Sequence, residues 1–118
     1  MEFTHHQEDN ICVVILSENL VSSNITEVEG HLRPLIDDEN VKTVLLNLEK
    51  VLYIDSSGFG LLIALFQSFR KHQMTFALCQ VNGKIKEFLK RMKIDRFLKI
   101  YPNERAAREE LSDESTPL

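Results

Sequence analysis

Three small oxygen-bearing side chains, Asp55, Ser56 and Ser57, stand between the apolar run Val44-Leu45-Leu46-Asn47-Leu48 and an amphipathic stretch that begins near Gly58. The run reads as a buried strand and the stretch as a helix, so the three residues fall at a helix start. Their oxygens suit that place because they accept hydrogen bonds from first-turn N–H groups that lack an intrahelical partner. Capping alone would account for them. A hydroxyl there has a second use: a helix N-terminus favours negative charge, so a phosphate would be tolerated without refolding.

Other chemistries fit poorly. A serine elbow needs glycine two positions before the serine, where Ser56 has Ile54 and Ser57 has Asp55. The pair Gly58 and Gly60 lacks the third glycine of a dinucleotide fingerprint, Ile63 standing in its place, and no Walker lysine follows. His5 and His6 are adjacent, and neighbours on a strand point to opposite faces, so one metal is not expected to hold both. The loop Asp37-Asp38-Glu39-Asn40 lacks the glycine and terminal glutamate of a calcium loop. No catalytic residue, metal or cofactor is expected.

The elements that must position the serines follow from periodicity. Phe3 to His6 alternates weakly as an edge strand, Gln7 to Asn10 reads as a turn, and Ile11 to Leu16 as a strand buried on both faces. Ile25, Val28, Leu32, Leu35 and Ile36 share a helical face that Pro34 should kink or end. The helix from Gly58 to about His72 carries Phe59, Leu61, Leu62, Ile63, Leu65, Phe66 and Phe69, more apolar surface than the ~100° stripe a surface helix needs. Thr75 to Val81 is a strand, and Asn82-Gly83 opens a helix with Ile85, Phe88, Leu89 and Met92 on one side. Lys99 to Tyr101 is a short last strand, and Glu104 to Leu111 a final helix. Strands alternating with helices predict an α/β fold, a mixed, mostly parallel sheet of about five strands with about four helices. The expected organisation is one domain over residues 1–111 and a loose acidic tail over 112–118.

The 118 residues, 43% hydrophobic and 27% charged, suit a single globular core. Residues 1–69 carry 11 acids and 3 bases, residues 70–108 carry 11 bases and 3 acids, and the last ten carry four acids. The basic segment has no aromatic-interleaved stripe, so direct nucleic-acid binding is not expected; a solvated helix face or an acidic protein partner fits it. Cys12 and Cys79 lie within apolar strands and are expected to be reduced, buried and inert. No apolar run is long enough to span a membrane and no signal peptide is evident, so a cytoplasmic location is expected.

The segments Leu46-Asn47-Leu48-Glu49 and Ile54-Asp55-Ser56-Ser57-Gly58-Phe59-Gly60 together resemble the signature of the anti-sigma factor antagonists, bacterial single-domain members of the STAS family. The resemblance runs from about Ile11 to Leu111 and implies the STAS fold. It also implies phosphorylation of a serine in the Asp-Ser-Ser-Gly turn, with Ser57 the acceptor and Ser56 the runner-up. Asp55, Ser56 and Gly58 frame that site. The implied partners are a serine kinase that doubles as an anti-sigma factor, a metal-dependent serine phosphatase and, less directly, a second copy in a weak homodimer. By the family's arrangement Phe59, Leu62, Ile63 and Phe66 would face the sheet, leaving Leu61 and Leu65 as a partner-binding margin; the alternative is a deeply packed helix with both in the core. One position departs: the family's Gly-x-Leu-Asp after the second strand falls on Glu18 to Val21, so Val21 replaces an acid and becomes a partner-contact candidate. The alternative implied role is a constitutive STAS subunit of a larger assembly, a lipid-trafficking ABC transporter or a stress-signalling complex.

Overall fold

Apolar runs at Ile11–Leu16, Thr43–Asn47 and Thr75–Cys79 are almost wholly buried, which requires cover on both faces of the sheet they build. The computed structural model describes residues 1–115. Strands β1 (Phe3–Glu8) and β2 (Ile11–Leu16) form an antiparallel hairpin. Strands β3 (Thr43–Asn47), β4 (Thr75–Cys79) and β5 (Ile100–Tyr101) then add in parallel, in the order β1-β2-β3-β4-β5. β1 runs on to Glu8, so the turn shrinks to Asp9-Asn10. Asp9 takes a positive φ of 54°, a conformation aspartate tolerates better than most residues.

Three helices cover one face: α1 (Ile25–Leu32), α2 (Ser56–Lys71) and α3 (Gly83–Arg91). Helix α4 (Glu104–Ser115) covers the other through Ala107 and Leu111. Alternate strand residues separate accordingly. Cys12, Val14, Val44 and Leu46 join the first core, and Ile11, Val13, Leu45 and Cys79 the second. The two cysteines therefore sit on opposite faces, unbonded and buried. Burial pushes the Cys79 thiol up to about 12. This is the mixed, mostly parallel five-strand sheet with four helices that the sequence predicts.

Pro34 ends α1 as an α-helix at Leu32; the chain continues as a 3-10 turn over Arg33–Asp37 with the proline near its start, where a missing N–H is tolerated. Helix α4 continues past Leu111 to Ser115, taking in the first part of the expected tail. Residues 116–118 of that tail lie outside the described residues. His5 and His6 point to opposite faces. His6 Nε2 lies 3.2 Å from Glu104 on α4, whereas the His5 ring sits 5.7 Å from that of His31 on α1.

Candidate functional site

The serines lie inside the first turn of α2, because the helix begins at Ser56 rather than Gly58 and Asp55 is its N-cap. Asp55 Oδ1 accepts from the Gly58 N–H at 2.9 Å, and its Oδ2 accepts from the Ser22 N–H at 2.9 Å. The backbone N–H groups of Gly58 and Ser22, with that of Ser57 beside them, hold the Asp55 carboxyl below the usual carboxylate range. One side chain thus starts the helix and ties it to the loop after β2.

That loop and the one after β3 are stitched together. Leu20 and Ile54 form a two-residue parallel bridge, with Leu20 N–H donating to Tyr53 O and Asp55 N–H to Leu20 O, both at 3.1 Å. Asn19 Oδ1 accepts from the N–H groups of Leu52 at 2.8 Å and Tyr53 at 3.0 Å. From the other side, Asn82 Nδ2 donates to Val51 O and Leu52 O while its Oδ1 caps α3 at Ile85. Below, buried Asn47 accepts from Glu49 N–H and donates to Glu104 on α4, closing the end of β3. The loops after β2, β3 and β4 are therefore joined beside the serines by side-chain and backbone hydrogen bonds.

Gly58 shows why the motif needs glycine. A Cβ there would lie 2.5 Å from Leu20 O and 2.6 Å from Ile54 Cγ2. The first turn of α2 rests directly on the Leu20–Ile54 bridge, an approach only glycine permits.

Ser56 is exposed and Ser57 half-buried. Val21 is half-buried and neighbours Asp55 across the bridge; its N–H donates to Asn24 Oδ1 at 3.0 Å. The expected apolar margin at Leu61 and Leu65 is corrected. Leu65 is fully buried and Leu61 is 7% exposed, both within the core under the sheet. With Gly58 fixed inward against Leu20, positions one, two and three turns on (Leu61, Leu62, Leu65, Phe69) must also face inward. Ile63 and Phe66 become the half-buried flank.

The open apolar surface lies elsewhere, on residues the sequence reading did not single out for the site. Leu52, Tyr53 and Phe88 line a groove of about 510 Å³ that also reaches Asp55, Ser56 and Lys84. Its floor is Ile54, Phe59 and Ile85, and the Phe59 and Phe88 rings stack at 4.3 Å. The signal available in the sequence was the Leu52-Tyr53 pair in a loop, where apolar side chains have no strand or helix to bury them.

A family model described as STAS domain matches residues 2–107, and the chain belongs to that family. A curated relative named anti-sigma F factor antagonist, from Paenibacillus polymyxa, is 25% identical over 111 residues, covering 94% of this chain and 93% of the relative. Two solved structures share the fold. A Thermotoga maritima protein assigned to the anti-sigma factor antagonists superposes with a TM-score of 0.87 at 23% identity, over 93% of this chain and 94% of that one. The phosphorylated form of the Bacillus cell fate determinant SpoIIAA gives a TM-score of 0.69 at 16% identity, over 98% of this chain and all of that one (100%). Among the described residues no helix is long and apolar enough to cross a membrane.

Proposed function

We propose that this chain is an anti-sigma factor antagonist, a non-enzymatic binding module switched by phosphorylation of Ser57. Unphosphorylated, it sequesters a serine kinase that is also an anti-sigma factor and so frees a sigma factor. Phosphorylated, it lets go until a metal-dependent serine phosphatase restores the hydroxyl. The observation that carries this reading is the Asp55 cap: both carboxylate oxygens are spent on backbone N–H groups, which fixes the serine turn at the end of α2. Negative charge is favoured at that end, so a phosphate alters the surface without altering the fold. Ser56, the more exposed hydroxyl, is the alternative acceptor. Mass spectrometry of the protein isolated from its own cells tests this. Phosphate on Ser57 or Ser56 is expected, and an unmodified turn under all growth conditions overturns the switch.

Val21 favours a second reading, in which the chain binds constitutively within a larger assembly. An acid beside Asp55 could orient a hydroxyl or a cation, and valine can do neither. Partner binding without phosphate turnover would mark that case.

A further inference from the structure

Helix α4 is held to the sheet differently from the other three. From Glu104 to Leu111 only Ala107 and Leu111 are buried. Beneath them lies an apolar row drawn from four strands: Ile11, Val13, Leu45, Ala77, Cys79 and Tyr101. Among the described residues, α4 is the only helix that contributes to this core. The opposite face is covered by α1, α2 and α3, which bury Val28, Leu32, Leu62, Leu65, Phe69 and Leu89. The apolar grip of α4 is thus one alanine and one leucine. A segment with so little apolar burial opens below the free energy of global unfolding.

Polar contacts supply the rest, and they converge on one carboxylate. Glu104 Oε2 accepts from Asn47 Nδ2 at 2.7 Å, and its Oε1 lies 3.2 Å from His6 Nε2 and 3.5 Å from Arg108 Nη1. Arg108 in turn reaches Glu8 at 3.0 Å, and Lys99 pairs with Glu110 at 3.4 Å. Glu104 therefore ties the first turn of α4 to β1 and β3. The helix also carries its own cap, Asn103 Oδ1 accepting from the Ala106 N–H at 2.8 Å, and only Pro102-Asn103 separates it from β5. It can leave the sheet as an intact helix.

Asn47 extends this contact toward the serine side. Only 2% exposed, it donates to Glu104 and accepts from the Glu49 N–H at 2.8 Å, at the start of the loop that leads to Asp55. A buried amide keeps its orientation through its partners, so losing Glu104 frees Asn47 to turn and release Glu49.

We propose that α4 is a hinged cover, latched by Glu104 to Asn47, which swings from the sheet while the rest of the domain stays folded, and that its opening loosens the loop entering the serine turn. This device needs neither a phosphate nor a partner, and its failure would leave the function proposed above standing.

The two cysteines report on it because they lie under opposite covers. Cys79 is wholly buried in the core beneath α4, and Cys12, 2% exposed, belongs to the other core. A domain that opened only as a whole would release both at one rate. The test is alkylation of the full chain by N-ethylmaleimide, in native buffer and in low urea, read for each cysteine by peptide mass spectrometry. Wild type, Glu104→Ala and Glu104→Gln are compared. In wild type Cys79 should react about tenfold faster than Cys12 and with a shallower dependence on urea, since opening one helix exposes less surface than unfolding. Glu104→Ala should raise the Cys79 rate about tenfold further relative to Cys12, and Glu104→Gln, which keeps an oxygen for Asn47, should raise it less. Hydrogen exchange at the Glu49 amide should quicken in Glu104→Ala. Equal cysteine rates with equal urea dependence in wild type would overturn the cover, whether or not the variants fold. A Glu104→Ala effect shared equally by Cys12 would make Glu104 a contributor to global stability alone and overturn the latch. Unchanged exchange at Glu49 in Glu104→Ala would cut the link to the serine loop and overturn the proposal as well.

Discussion

Asp55 and Ser22, 33 positions apart in the chain, are joined by a 2.9 Å hydrogen bond from the Ser22 N–H to the same carboxylate that caps α2. The serine turn is therefore not a free loop. Its position is set jointly by the end of β3 and by the segment after β2, so whatever binds there meets a preformed surface.

A charged cap makes this junction sensitive to acid. The native Asp55 carboxyl titrates below its ordinary range, so its contribution is complete above that range and is lost as pH falls through the lowered native value. Asp55→Asn, which keeps a capping oxygen but no charge, should melt modestly below wild type at pH 7. The difference should close as pH drops beneath the usual aspartate range. Thermal melts of the two proteins across pH 2–7 check it, and a gap that widens in acid would contradict this account of the cap.

Gly58→Ala should be costly for a different reason. The new methyl would meet Leu20 O at 2.5 Å, a backbone atom that cannot rotate away. Overpacking of this kind costs ~3 kcal/mol, on the order of 10 °C in Tm for a domain of this size. Gly60→Ala, with nothing within 4 Å of the added carbon, should be neutral or slightly stabilising. Calorimetry on the pair separates a contact effect from helix propensity.

Val21 tests the departure from the family signature. Val21→Asp restores an acid beside Asp55, across the Leu20–Ile54 bridge, where it can orient the acceptor hydroxyl or an approaching cation. At saturating kinase and ATP the rate of Ser57 phosphorylation should rise about tenfold, the equivalent of one well-placed hydrogen bond of ~1.4 kcal/mol in the transition state. Stability should change little because the site is half-buried. A time course with wild type and variant side by side reads the effect. An unchanged or slower rate in a folded variant would remove the missing acid as the limiting feature.

The sheet was legible because β2, β3 and β4 are short, continuous apolar runs separated by helical periods, and the place of Asp55, Ser56 and Ser57 at a helix start was legible because small oxygen-bearing residues there follow an apolar strand and precede an amphipathic run. The inward face of α2 was not. Phe59, Leu61, Leu62, Ile63, Leu65 and Phe66 surround the helix with apolar choices, and periodicity alone cannot select among them. The selection is made by the contact of Gly58 with Leu20, which joins residues far apart in the chain. Phe88 and Met92 share a helical side with buried Ile85 and Leu89, yet are 37% and 57% exposed. Periodicity tells which residues lie together but not how far the neighbouring elements extend over them. Asn19 and Asn82 were invisible as loop clamps for the same reason, since their partners at 51–53 are backbone atoms that no side-chain pattern reports.

The proposed switch is measured most directly by the affinity of a kinase that phosphorylates this protein for the unmodified chain and for the same chain carrying phosphate on Ser57. A partner that seals over the turn must desolvate the added charge, at a cost of several kcal/mol if no cation meets it. Binding should therefore fall at least ~100-fold on phosphorylation, with Ser57→Asp weakened in the same direction, Ser57→Ala binding like wild type, and Tm nearly constant throughout. Equal affinities for the phosphorylated and unphosphorylated forms, with both folded, would contradict the account.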